Sequence, residues 1–340
     1  MKKNVVTLDS DLPRVGMSKG QTVEFIDGLP TIDDGLAFSI SQLAYVEAKI
    51  YEAKYPNIEY RDLIPISTDA PEWADRVDYM SYDGVTMGKF ITGSSDDLPN
   101  VAMNAKKSSV PIGYAGNSFE FSLDELRKSQ ALRMPLDVTL ARLARRGAEE
   151  HMQRVAYFGD ADRGMTGLFN SPNVTLTNGT LNWLAPTTAP MDIVNDVNAI
   201  LTSVWTQSKG AHHANTLVLP ASLWAFITTR VVSNDFPDKT IYNLIQEKNI
   251  YTARTTRPLM IVGRFQLEAA ELAKHGITVS GPGRILAYEY DQDNLFMQIP
   301  MPWRTAAPQP RNLKIKVPAE YKMSGTEFRY PLSARYVDLA

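Results

Sequence analysis

The chain has 340 residues, with 35 Lys and Arg against 38 Asp and Glu for a formal net charge of -3, 44% hydrophobic residues and no cysteine. This is the composition of an ordinary globular protein that is longer than a single core usually grows, so an elongated multi-lobed subunit or two domains is expected. It excludes disulfides, thiolate metal sites and cysteine nucleophiles, and it lacks the basic excess of a protein that neutralises nucleic-acid phosphate over a large surface.

The first residues, Met1-Lys2-Lys3-Asn4, lack the apolar core of a signal peptide, and no apolar run approaches the roughly 20 residues needed to cross a bilayer. Residues 1–36 carry Gly16, Gly20, Gly28, Pro30 and Gly35 without a sustained period and read as an extended arm. Ser39 and Gln42 fit a capping box, and Leu43, Val46, Ile50 and Ala53 follow at helical spacing until Pro56. A strand-like piece is expected from Tyr60 to Ile66. Two strand candidates, Arg76 to Tyr82 and Val85 to Thr92, flank Asp83-Gly84, a pair that accepts the positive φ angles of a hairpin turn. A projecting hairpin is marginal by itself, so it is expected to pack on a neighbouring subunit.

Ser122 and Glu125 form a second capping box for a short helix through Gln130, and Pro135 opens a long helix, Leu136 to Phe158. Leu136, Leu140, Leu143, Met152 and Val155, with small Gly147 and Ala148 between them, make one apolar stripe. Arg142, Arg145, Arg146 and Arg154 point elsewhere. At 1.5 Å per residue this is a rod of about 35 Å, stopped by Gly159 and Asp160, and its stripe needs a sheet to lie against. The polar segment Asn170 to Pro190 reads as a domain boundary. Beyond it the sequence predicts a helix over Met191–Gln207, a buried strand Thr216–Leu219, helices after Pro220 and around Thr240–Lys248, and a strand Leu259–Val262. That alternation suggests an α/β lobe. Arg284 to Ala340 is strand-rich and interrupted by prolines, as edge strands and turns are.

Motifs for chemistry are weak. Asp160, Asp162 and Gly164 resemble the start of a calcium loop, but the twelfth position is Ser171 where a bidentate Glu is required, so a helix-ending turn is the better reading. Gly281-Pro282-Gly283 departs from a dinucleotide fingerprint and reads as a turn. His212 and His213 are adjacent and would point to opposite sides of an extended chain, and His151 sits within the long helix. No nucleophile elbow, zinc-protease helix or phosphate-cradling Gly-Lys-Ser is present, so no catalytic residue, cofactor or metal is expected. Arg142, Arg145 and Arg146 form a basic helix face, either paired with Glu149 and Glu150 or set against enclosed DNA. Tyr45, Tyr51, Tyr55 and Tyr60 are read as packing residues in preference to a stacking platform.

Several runs together carry a resemblance. These are Ser41 to Glu52, Ala70-Pro71-Glu72-Trp73-Ala74, Ser81-Tyr82-Asp83-Gly84, Asp96-Asp97-Leu98-Pro99, Phe158-Gly159-Asp160 to Leu168, and Phe328-Arg329-Tyr330-Pro331-Leu332. In order, from about residue 37 onward, the chain resembles the encapsulin-like family of tailed-phage major capsid proteins with the Hong-Kong-97-type fold. The resemblance implies an α+β subunit. Its parts would be an N-arm (1–36), a first piece of P-domain (37–66), an E-loop (67–118), P-domain with the spine helix (119–185), an α/β A-domain (186–300) and C-terminal strands returning to the P-domain (301–340).

By the same resemblance, copies would assemble in the host cytoplasm into hexamers and pentamers of an icosahedral virion shell around double-stranded DNA, with portal, scaffolding and decoration proteins as further partners and no membrane. Trp73, Tyr82, Asp83, Gly84 and Lys89 are the candidate inter-subunit hairpin, and Arg142, Arg145 and Arg146 the candidate basic face. Some capsids of this fold join a Lys to an Asn covalently. Lys89 or Lys106 lies where such a lysine would sit, but no partner Asn or Glu is identifiable, so no crosslinking is expected. Two alternatives are an encapsulin-type nanocompartment around cargo protein and an enzyme housed in the α/β lobe.

Overall fold

The computed structural model describes residues 5–6, 23–24, 57–83, 103–131, 136–233 and 236–340. The chain divides into two compact units, 1–57 and 58–340. In the first, Val5–Val6 (β1) pairs antiparallel with Val23–Glu24 (β2). The remainder of the expected arm and the helix after Ser39, with Tyr45, Tyr51 and Tyr55, lie outside the described residues.

In the second unit Tyr60–Leu63 is a single helical turn (α1), followed by the short strand Ile66–Ser67 (β3), and this corrects the strand expected over Tyr60 to Ile66. The cause is burial at a three-residue spacing, since Tyr60 and Leu63 both enter the core. The Tyr60 hydroxyl donates to Glu149 at 3.2 Å, and burial beside that carboxylate pushes its pKa up to about 12.

Arg76–Asp83 (β4) then runs antiparallel to the first part of a 19-residue strand, Asn104–Ser122 (β5), from Arg76 opposite Pro111 to Asp83 opposite Asn104. The described partner of β4 is Asn104–Pro111, with Asp83 opposite Asn104; the candidate strand Val85 to Thr92, with Gly84 and Lys89, lies outside the described residues. An Asp-Gly pair favours a turn locally, whereas the ladder follows β5, because β5 continues into an eleven-residue register with the later strand Lys314–Ser324.

The capping box forms as expected. Ser122 N–H donates to Glu125 Oε2 at 2.8 Å and Glu125 N–H donates to Ser122 Oγ at 3.1 Å, opening the helix Leu123–Ala131 (α2). The long helix spans Leu136–Phe158 (α3). Ala148, Met152, Val155 and Ala156 are buried, Leu140 is half-buried and Leu143 is 42% exposed, so the burial of the stripe is uneven along the helix. The stripe's period was legible; what covers each turn depends on distant strands. Asn117 Nδ2 of β5 donates to Ala144 O at 2.6 Å, and His151 Nδ1 lies 2.7 Å from the Tyr321 hydroxyl.

After Phe158 the chain doubles back along the end of this helix. Gly159 (φ 70°) donates to Val155 O at 2.8 Å, Leu168 N–H to Ala156 O at 2.9 Å, Phe169 N–H to Tyr157 O at 2.9 Å, and Asn170 Nδ2 to Phe158 O at 2.6 Å. All four final carbonyls of the helix are thereby satisfied. The approach is close enough that a Cβ on Gly167 would sit 2.4 Å from Tyr157 O. Asp160 accepts from Asp162 N–H at 3.2 Å and faces Arg163 at 3.7 Å, the arrangement of a turn.

The next elements are Thr175–Asn178 (β6), Pro190–Gln207 (α4), Thr216–Pro220 (β7), Ala221–Thr229 (α5), the small hairpin Val231–Ser233 (β8) with Phe236–Thr240 (β9), Ile241–Glu247 (α6), Ile250–Thr255 (α7), Met260–Arg264 (β10) and Ala269–Lys274 (α8). Arg284–Tyr288 (β11), Leu295–Gln298 (β12), Met301–Thr305 (β13), Gln309–Arg311 (β14), Lys314–Ser324 (β15), Thr326–Phe328 (β16) and Ala334–Asp338 (β17) complete the chain.

The central sheet has the order β10-β7-β11-β17-β6. Because side chains alternate along a strand, it separates two cores. Leu217, Leu219, Ile285, Ala287 and Val337 join the helices α4 and α6 on one face, while Val218, Leu286, Tyr288 and Tyr336 join the long-helix core on the other. A second sheet, β13-β15-β5-β4 with β14 on β15, carries the long ribbon, and β16-β12-β3 forms a third.

Candidate assembly surfaces

The ribbon and the loop before it present large apolar side chains to solvent. Trp73 is 81% exposed, held between two surface ion pairs, Glu72 with Arg304 at 3.0 Å and Asp75 with Lys322 at 3.2 Å. Met80, Met103, Tyr114 and Leu313 are likewise exposed, and Tyr114 donates its hydroxyl to Glu320. Tyr82 and Asp83 stand at the outer end of β4, opposite Ala105 and Asn104. These side chains are spaced along the ribbon from Met103, just before β5, to Leu313, beside its far end. Trp73 was a sequence candidate, and the side chains of Tyr82 and Asp83 lie outside the described residues; Met80, Tyr114 and Leu313 were not candidates, because their exposure depends on which sheet face is covered.

At the root of the ribbon, Tyr79 donates to Glu327 Oε1 at 3.4 Å and Thr166 Oγ1 donates to Glu327 Oε2 at 3.1 Å. Burial raises the Glu327 pKa above the usual carboxylate range despite these bonds. One carboxylate thus ties β4, the turn after the long helix and β16 together.

On the long helix, Arg142 and Arg145 are exposed, and Arg146 is half-buried with its Nε 3.0 Å from Glu150 Oε1. Glu149 is taken instead by Arg61 at 3.1 Å and by Tyr60. The three arginines lie on one face with exposed Val138 and Leu143 on the same half of the helix. His212 turns to Glu289 at 2.7 Å while His213 turns to the Trp205 ring, as adjacent side chains on an extended segment should. Trp205, His213, Tyr251 and Arg254 line a cavity of about 290 Å³. No helix among the described residues is long and apolar enough to cross a membrane, and no group of three metal-ligating side chains occurs among them.

A long helix braced against a central sheet with two covered faces, together with a projecting two-stranded ribbon, defines a subunit of the Hong-Kong-97-type capsid class. The solved capsid of Myoviridae phage XM1 is similar over 88% of this chain and 98% of its own, with TM-score 0.72 and 12% identity. Solved structures from Microbacterium phage Oxtober96 (TM-score 0.60, 12% identity, 91% and 98% covered) and Mycobacterium phage Ogopogo (0.58, 12%, 89% and 99%) share the fold. No curated protein matches the sequence. The family model described as major capsid protein matches residues 87–339, and the chain belongs to that family. It is a structural, shell-forming protein of the virion capsid whose copies self-assemble.

Proposed function

We propose that copies of this chain form hexamers and pentamers that tile an icosahedral shell around double-stranded DNA, assembled in the host cytoplasm with one pentamer position taken by a portal. The observation that carries this reading is the exposed apolar ribbon. Trp73, Met103, Tyr114 and Leu313 project from a subunit whose two main cores are already filled, so they suit a surface completed by another copy.

In this reading residues 1–36 are the N-arm, 67–118 the E-loop, 37–66 with 119–185 the P-domain, 186–300 the A-domain and 301–340 the returning strands. Trp73, Tyr82, Asp83, Gly84 and Lys89 serve the inter-subunit hairpin. Arg142 and Arg145 contribute a basic face toward enclosed DNA, with Arg146 moderated by Glu150. Electron microscopy of the chain expressed alone and purified by sedimentation tests the proposal. Closed shells or six- and five-membered rings are expected, and a homogeneous monomer under assembly conditions would overturn it.

A further inference from the structure

The central sheet offers a second contact between copies, at its edges. Both faces are buried within the chain, which leaves β10 at one end and β6 at the other. No strand among the described residues pairs with the outer side of either. Exposed sheet edges are normally blunted by charges, prolines or bulges, because an unpaired row of N–H and C=O groups recruits other chains. These two edges carry little of that protection. Between Asn170 and Pro190 there is no Asp, Glu, Lys or Arg; on β10 the single charge is Arg264, its side chain only 11% exposed and turned to Glu59.

Apolar side chains stand at both edges. Leu176 on β6 is 48% exposed. Beside β10, Met260 is 40%, Trp224 39% and Phe265 45% exposed. Gly263 allows the tryptophan to lie against the strand, since a Cβ there would meet Trp224 Cγ at 2.7 Å.

The directions also match. β10 and β7 are parallel, β11 is antiparallel to both β7 and β17, and β17 is parallel to β6, so the two outer strands run the same way. They are separated by four strand spacings, about 19 Å, and face away from each other. A ring of identical subunits needs this kind of arrangement, with two different patches on opposite sides of each subunit. The one charge on either strand, Arg264 at the end of β10, is already paired with Glu59 at 2.9 Å, so no unpaired charge would have to be desolvated.

We propose that the β6 edge of one copy, through Leu176, packs against the β10 edge of the next, through Met260, Trp224 and Phe265, around the axis of each capsomer. The inference rests on the ring-forming reading above. Strands of four and five residues bury much less than the roughly 1,200–2,000 Å² of a stable complex. The contact therefore acts jointly with the ribbon, setting the lateral fit of the lobes.

The test is a charge-pair exchange in the full chain. Leu176→Glu and Met260→Lys each place one unpaired charge in every lateral contact, and roughly a tenfold or greater loss of sedimenting particles is expected from either alone. The double variant puts Glu against Lys at every contact and is expected to recover most of the yield. Tryptophan fluorescence and circular dichroism of the soluble fraction establish that each variant folds. Normal assembly of either folded single variant, or failure of the double variant to recover, overturns the proposal. Should the unaltered chain not assemble, the ring-forming reading itself fails, which is a separate result.

Discussion

Asp338 is the position at which the fold is expected to be most sensitive to loss of a single charge. On β17 it faces its register partner Arg284 on β11, with Arg284 Nε 2.7 Å from Oδ1 and Nη2 2.9 Å from Oδ2, and each side chain is only 7% exposed. Arg284 Nη1 also donates to Phe169 O at 3.0 Å, so the pair joins two central strands to the turn after the long helix. Asp338→Ala leaves the guanidinium buried beside the Tyr336 ring without its counter-charge. Removing one partner of a buried pair costs about 3–5 kcal/mol, because the remaining charge has lost its water and gained nothing in exchange.

With a urea slope of about 3 kcal/mol per molar for a chain of this size, the unfolding midpoint should fall by roughly 1–2 M. The assay is urea unfolding of unassembled protein. It is read through Trp183, which is fully buried in the helical core and donates its indole N–H to Asp196 at 2.6 Å. Replacing both partners, Arg284→Met with Asp338→Leu, should recover most of the loss, since apolar groups of similar size avoid the desolvation cost. An Asp338→Ala shift worth less than about 1 kcal/mol, or a double variant no better than the single, would refute the reasoning.

Trp73→Ala should change the unfolding free energy by no more than about 0.5 kcal/mol, as expected for so exposed a side chain, while particle yield measured by sedimentation falls sharply. Gly167→Ala should abolish soluble expression, because the new Cβ meets backbone of the long helix that cannot move without releasing its capped end. Glu327→Gln should stabilise the unassembled chain at neutral pH. Burial raises the folded-state pKa, so between the ordinary carboxylate range and that raised value the native state binds more protons than the unfolded chain, and stability falls as pH rises. Unfolding curves taken across that interval should decline for the parent and flatten for Glu327→Gln; parallel curves would refute the assignment.

What the sequence determined by itself was whatever a few neighbouring residues could decide. Ser122 and Glu125 close their reciprocal bonds across three residues, the long helix ends at Phe158 because Gly159 takes a left-handed conformation, and α4, β7, α5, α6 and β10 follow their local periodicities, whereas the hairpin β8–β9 and the helix α7 were not read from the sequence.

Pairing was decided only by the tertiary structure. β4 pairs with Asn104–Pro111, a segment in which Pro111 and the following Gly113 and Gly116 give no local strand signal. Leu143 kept the spacing of a core residue yet stayed exposed, while β5 and β15 meet the helix at Ala144 and His151. The polar stretch after Asn170 supplied the edge strand β6 and buried Trp183, and Arg284 found Asp338 on a strand distant in the chain. A hydrogen bond across three residues closes almost without entropic choice, whereas a ladder between distant segments competes with every other edge the chain presents, and the winner is set by the summed burial of the completed sheet.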